Sequence, residues 1–295
     1  ANGVLLDVVR GQSLASAAQT RNQVAVAGAA DGLAMNHGLS QALAQLFPAD
    51  ARTAFDLLSG ELHASAHSVM IDSARQVRAA ALARGNARGG DFALADDEDR
   101  TAAWVELLRS GGRLAGDGNA AGVHHDSEGG LVGVDHRFDG GWRLGALGGL
   151  GRTDMHAPER ASRGRLSTRH LGVHAGQSWG GFSLGAGLTH AWHDVRITRE
   201  VVVPGLDDRT RAVYDATTTQ AFVEAGYRFG GEGWGLEPFV QFARVSVDTD
   251  GFAEAGGLAA LTGGSSDADV DLATWGLRGS LELKAAHQDA SWLSL

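Results

Sequence analysis

From about Gly129 to Leu283, apolar positions alternate with small or polar ones, and the runs begin or end in aromatic residues. Phe182, Leu184, Ala186, Leu188 and Trp192 share one parity; Ser183, Gly185, Gly187, Thr189 and His193 take the other. Around Ala175 the same rule sets Val173 and Trp179 against His170, Gly172, His174 and Gly176. A period of two predicts β-strands with unlike faces. Candidate strands cover about 102–113, 128–138, 141–154, 165–179, 181–197, 212–229, 233–248 and 268–284, with a ninth starting near Ala290. Their connections alternate in length. Phe138 to Trp142, Trp179 to Phe182 and Phe229 to Trp234 are tight, glycine-bearing and flanked by aromatics. Between them, Asp117 to Ser127, Ala157 to Gly164, Val203 to Arg211 and Asp250 to Asp267 read as longer polar loops.

Charge placement distinguishes the two faces. An Arg or Lys on a lipid-facing wall costs about 2–4 kcal/mol at the bilayer midplane. Arg143, Glu224, Arg228, Glu237 and Arg278 all fall on the parity opposite the apolar set, as a lipid-facing outside and a wet lumen require. Phe222 and Phe239 on the polar parity, and Arg244 on the apolar one, break the rule. The fold class expected is mainly β: an antiparallel transmembrane β-barrel with short turns at one rim and long loops at the other. Trp142, Trp179, Trp192, Tyr227 and Trp234 would form its membrane-interface aromatics. A soluble sandwich also alternates, and is the competing architecture.

Upstream the period changes. Residues 1–32 read as the end of a preceding domain and a linker, 33–98 as a helical linker, and 99–295 as the barrel. Leu39, Ala42, Leu43 and Leu46 recur at helical spacing ahead of Pro48; a second helix covers Ala49 to Ser59, and a third Glu61 to Arg84. Gly89, Gly90 and the acidic stretch to Asp99 form a linker. The third helix is slim, rich in Ala and Ser, and carries Arg75, Arg78 and Arg84. Such a helix, about 10 Å across, suits the inside of a barrel. It would plug the lumen, its arginines pairing with wall carboxylates such as Glu224, Glu237 or Glu282; the alternative is a surface helix with solvated arginines.

Composition narrows partners more than fold. The formal charge of −10 disfavours nucleic acid, whose phosphates need a basic face. The absence of cysteine removes disulfides and thiolate metal sites. Glycine, 43 of 295 residues, is dispersed and lacks a Gly-X-Y register, which excludes collagen. No apolar run approaches the length of a membrane helix, so crossing a membrane requires strands. Ala1 to Arg10 lacks the form of a signal peptide, so a membrane reading expects a precursor with residues ahead of Ala1.

Ordered segments carry a resemblance to a known family. AFDLLSGELHAS (54–65) is followed by the arginine-bearing helix and by WVELLRSGGRLAGDGNAAGVHHDSEGGLVGVDHRF (104–138). GWRLGALGGLGRTDM (141–155), the 192–229 segment, LEPFVQFARVSVDTDGFAEAGG (236–257) and DLATWGLRGSL (271–281) follow in order. The chain resembles the C-terminal β-domain of bacterial autotransporters, the type V secretion system. The resemblance implies a twelve-stranded outer-membrane barrel, of which eight to nine strands are expected here. It also implies a lumenal helix before the first strand and an N-terminal passenger exported to the cell surface. Partners so implied are outer-membrane lipid, the protein's own passenger, the barrel-assembly machinery and periplasmic chaperones. The domain itself is expected not to be an enzyme and to hold no cofactor. The 54–65 junction resembles autotransporters whose passengers are subtilisin-like serine proteases or esterases; an adhesive passenger is the weaker alternative. The branch that cuts itself inside the pore uses an Asn-Asn pair, which is absent between Gly60 and Asn86.

Other motifs have ordinary explanations. Gly181-Phe-Ser183-Leu-Gly185 has the spacing of a nucleophile elbow, but the pattern continues as strand where a helix is needed. Asp117, Asn119, Gly122 and Glu128 occupy four positions of a calcium loop without flanking helices, and a hairpin turn accounts for them equally well. His63 and His67 are one helical turn apart, with no third ligand apparent; His124, His125, Asp126, His190 and His193 are equally loose. Gly145 to Gly151 lacks the lysine and the following helix of a phosphate loop.

Overall fold

The structure, a computed structural model, describes residues 11–86, 100–231, 233–284 and 290–294, with side chains placed as far as Leu281. The Ala1–Arg10 run, the linker at 87–99 and the Glu282 side chain lie outside the described residues. After a 3-10 turn at Leu14–Ala17 come α1 (Arg21–Asp31), α2 (Gly38–Ala44), α3 (Pro48–Leu58) and α4 (Glu61–Gly85). Pro48 ends the reach of α2 and opens α3 at its first position, where a missing N–H costs nothing. Helix α1 was not expected, although its signal is present: Thr20 and Gln23 form a capping box. Helices therefore begin upstream of Leu33.

All strands are antiparallel. They are β1 (Thr101–Leu114), β2 (Val123–Arg137), β3 (Arg143–Ala157), β4 (Ser162–Trp179), β5 (Phe182–Val203) and β6 (Leu206–Tyr227). Short β7 (Phe229–Gly231) precedes β8 (Trp234–Thr249), and the small hairpin of β9 (Phe252–Ala253) and β10 (Thr262–Gly263) leads to β11 (Ser266–Lys284) and β12 (Ala290–Ser294). The main sheet is a meander in the order β1-β2-β3-β4-β5-β6-β8-β11-β12, with β7 beside β8. All eight long strands and the ninth stand where the alternation places them. Two of the four long loops do not. Pro204 and Gly205 alone connect β5 to β6, and residues 158–161 connect β3 to β4. The strands continue past the expected membrane edge, and their outward faces become polar there because they leave the apolar band. Only 115–122 and 250–265 remain long connections.

The sheet curls around α4, which touches every strand from β1 to β6 and also β8. On β5, odd-numbered residues from Ser183 to Val201 turn inward and even-numbered ones outward. Outward positions then follow one trend on the long strands: mostly aromatic or small at the tight-turn rim, uncharged and mainly apolar through the middle, charged beyond; Gln177, His190, Thr217 and Thr219 are polar but uncharged members. The change comes at Arg109, Glu128, Arg152, Arg169, Asp194, Asp215, Arg244 and Asp271, one on each of the eight strands. On β5 the uncharged outward stretch runs from Phe182 to Trp192. That is ~34 Å along the strand, or about 26 Å along the axis at a tilt near 40°. A lipid-facing band is about 25 Å tall. Arg244 ceases to be an exception: it lies above Phe242 at the band's edge, paired with Asp269 at 2.8 Å. Phe222 also has a cause, since its ring lies over Gly187, where a Cβ would come within 2.5 Å.

Candidate functional site

Helix α4 buries Leu62, Ala66, Val69, Met70, Ala74, Val77 and Ala81, a three-four spacing that turns one side to the wall. Its first half packs with Val195, Ile197, Val245 and Val247, its second with Trp104, Leu131, Leu147 and Phe222. The exposed stripe holds Ala64, Ser68, Arg75 and Ala79. Towards its end the helix meets the wall backbone to backbone. A Cβ on Gly176 would lie 2.2 Å from the Gly85 carbonyl oxygen, so only glycine permits this approach.

The three arginines have different fates. Arg75 is exposed and pairs with Asp72 of its own helix at 3.4 Å. Arg78 is buried and donates to two wall amides, Gln220 and Gln241, each at 2.8 Å. Gln241 in turn donates to Glu224 Oε2 at 3.0 Å. Arg84 reaches a wall carboxylate, Asp135, at 3.2 Å, and its guanidinium stands 4.9 Å from the Trp104 ring centroid. Trp104 Nε1 and His174 Nε2 close on the same Asp135 at 3.1 and 2.8 Å. Among the described residues, Glu224 and Glu237 meet a wall arginine where Arg75, Arg78 or Arg84 was expected. Both lie beside Arg278, Glu224 at 2.7 Å and Glu237 at 3.6 Å, because register places β6, β8 and β11 side by side there. Arg278 stacks on Phe239 with 3.7 Å to the centroid, which accounts for that aromatic on the polar parity. Arg228 sits at the turn rim, donating to Ser280 at 3.2 Å. Asp135 was missed, yet it stands on the inward parity of β2 with Leu131 and Gly133.

The outer mouth holds a second network that the sequence did not suggest. Arg199 on β5 is fully buried and grips Glu254 of the 250–265 loop with two bonds, 2.7 and 2.6 Å. It also donates to the carbonyls of Leu57 (3.0 Å) and Ala259 (2.8 Å), tying α3 and the loop to the wall. His63 lies between Glu254 (3.0 Å) and the Tyr214 hydroxyl (3.2 Å), stacked on Phe252 at 3.8 Å. Burial pushes the Glu254 carboxyl up, but Arg199 and His63 outweigh it and hold it at about 2. Beside this latch, Glu61 at the start of α4 pairs with Arg160 at 3.0 Å and accepts from the Ala121 amide at 2.8 Å. Helices α1–α3 pack on Val201 and Leu206 at the β5–β6 tip, so the helical cap covers the long-loop rim.

The remaining motifs separate. His67 meets Thr249; His190 and His193 point to opposite faces; His124 and Asp126 face outward while His125 faces in. Ser183 is a ladder residue of β5 next to the tight turn, paired with Ser178 and Gly226 and 3.4 Å from Glu237, with strand and not helix after it. Asp117 receives the amides of Asn119 and Ala120, as a turn requires, and Glu128 stands on β2 opposite Arg109. Among the described residues, no three metal-ligating side chains converge. Of the aromatics, Trp142, Trp179, Tyr227 and Trp234 line the tight-turn rim, and Trp192 marks the other edge of the apolar band.

Residues 103–293 match the family model of the autotransporter β-domain. Two proteins of Serratia marcescens, each named extracellular serine protease, are 34% identical over 226 residues and 35% over 223, or 76% and 75% of this chain. The chain spans 22% and 21% of their lengths. The translocator domain of the autotransporter NalP from Neisseria meningitidis superposes with a TM-score of 0.60 at 16% identity, over 75% of this chain and 71% of that one. The β-domain of the Bordetella autotransporter BrkA gives 0.51 at 22% identity, over 66% and 76%.

Proposed function

This chain belongs to the autotransporter β-domain family, the outer-membrane translocator part of such proteins, and on that premise we propose how it exports what precedes it. The path of α4 supports the reading. The helix begins at the long-loop rim, beside Arg160 and Glu254, and ends at the lumen wall near Gly176 and Asp135, towards the aromatic rim. Strand β1 starts at that aromatic rim, since Thr101 pairs with His136 next to the Phe138 turn. The chain therefore runs inward through its own lumen before it builds the wall. Everything N-terminal to Glu61 is left on the long-loop side, which in such barrels faces outward. No bond chemistry is required of the domain. Its parts act by burial: the apolar band against lipid, the lumen polar groups against α4, and the cap over the mouth. Assembly into the membrane would draw on the barrel-assembly machinery and periplasmic chaperones.

The orientation is testable with peptide tags in the full-length protein on intact cells. A tag after Gly11 is expected to be reached by antibody and by added protease, and one in the Gly180 turn only after lysis. The reverse pattern would overturn the assignment.

The passenger would be a serine hydrolase. Both Serratia relatives are named extracellular serine protease, and the matched segment is 22% and 21% of their lengths. A fluorophosphonate probe is expected to label the full-length protein, with none of the label on the fragment beginning at Ala1. Absence of labelling in an intact, surface-exposed precursor would leave an adhesive passenger as the reading.

A further inference from the structure

Above the apolar band, the outer face of the wall is unevenly charged. On β8 and β11 the exposed charged residues there are Asp248, Asp267, Asp269 and Asp271 against Arg244 among the described residues. Across β2 to β6 a concavity of about 890 Å³ is lined by five arginines, Arg163, Arg165, Arg196, Arg209 and Arg211, and by two carboxylates, Asp126 and Asp154. Register sets Arg165 directly opposite Arg196, and Arg163 and Arg211 on either side of Thr198. Like charges directly opposite on a sheet oppose folding. Arg165 leans towards Asp154 (2.7 Å), Arg196 towards Asp194 (3.0 Å) and Arg209 towards Glu200 (4.0 Å), but Arg163 and Arg211 have no acidic partner within 4.0 Å among the described residues. In a chain of formal charge −10, this is a basic groove with guanidinium groups left over.

Its height indicates what would fill it. Trp192 marks the edge of the band on β5, level with Arg169 of β4, and the Arg165–Arg196 pair lies four residues beyond it. That is ~14 Å along the strand and about 10 Å along the axis. Phospholipid headgroups occupy only about 5–7 Å on each side of the hydrocarbon. The phosphate that meets these arginines must stand farther out, on a sugar headgroup. We propose that this groove is a docking site for the phosphorylated saccharide core of outer-leaflet lipopolysaccharide. Planar guanidinium groups match phosphate oxygens two at a time, and several around one groove would relieve the Arg165–Arg196 opposition. The proposal rests on the outer-membrane reading and adds a lipid class and an address to it.

The test uses the purified full-length protein in neutral detergent, titrated with lipopolysaccharide. Wild type is expected to bind a chemotype with a phosphorylated core at least tenfold more tightly than the same chemotype lacking core phosphate. The double variant Arg163→Gln, Arg211→Gln is expected to lose that preference, while Arg244→Gln keeps it. Both side chains are exposed, so folding is checked simply by retention of the heat-modifiable band. Equal binding by the double variant and wild type would overturn the proposal. Equal binding of phosphatidylglycerol micelles, or full competition by inorganic phosphate, would also overturn it, by showing generic anion attraction. A wild-type protein without any heat-modifiable form would instead remove the barrel reading, and the proposal with it.

Discussion

Deleting Glu61–Gly85 from the full-length protein is expected to raise the single-channel conductance of the reconstituted barrel on the order of tenfold. The reason is cross-section. A helix with its side chains is about 10–12 Å across, and a small barrel encloses little more than that. With α4 present, Met70, Val77, Ala81 and Leu82 lie against the wall and Gly85 touches it at Gly176. Ions are left the strip beside the exposed stripe of Ala64, Ser68, Arg75 and Ala79. The thirteen residues of 87–99, at no more than ~3.3–3.6 Å each, can still span the lumen when extended, so the deletion need not pull the cap inward. A milder variant separates plugging from folding. Arg78→Met with Arg84→Met leaves the helix in the chain but strands Asp135 without its cation and frees Gln220 and Gln241. Flickering openings are expected from it, and stable large ones from the deletion. A deletion protein that keeps its heat-modifiable band and conducts as wild type does would show that α4 is not the plug.

Strand positions were legible because the alternation survives wherever one face meets lipid and the other the lumen. Past Asp194 on β5 and Asp215 on β6, the outward face meets water, so the candidate strand stops at 197 and 203–211 reads as loop although Ile197, Val201 and Leu206 continue the inward period. Polarity was mistaken for irregular structure there. Parity also told which charges face inward, but not at what height. Glu224 and Arg78 both face the lumen, yet Arg278 takes the carboxylate and the helix arginine is left with two glutamines. Height follows from register, and register is set by turns such as Pro204-Gly205 that the pattern placed inside a longer loop. The same error hid Glu254. A residue in a sixteen-residue polar connection gives no sign that the connection folds back into the mouth to meet an arginine 55 residues earlier.

Replacing Arg199 with methionine is expected to unlatch that mouth. In the native protein the guanidinium and the Glu254 carboxylate are both fully buried and meet in a two-bond fork, and two carbonyls complete the donor set. Methionine fills much of the same volume but leaves Glu254 as a buried charge held only by His63 and the Leu261 amide. Removing one partner of a buried pair costs about 3–5 kcal/mol. The open state of the 250–265 loop should then be populated roughly a hundredfold more or beyond. Limited proteolysis within 250–265, or hydrogen exchange of its amides, would read this directly. Adding Glu254→Met should restore most of the loss, because the cost lies in the uncompensated charge and not in the missing contact. Acid provides an independent check with a fixed sign. The folded carboxyl is held at about 2 against 4.5 when free. Its contribution is therefore complete above pH 4.5 and disappears as the pH falls towards 2, a difference of roughly 3 kcal/mol. The wild-type loop should become protease-sensitive through that window, the double variant should show no such step, and a wild-type loop equally protected at pH 5 and pH 2 would refute the latch.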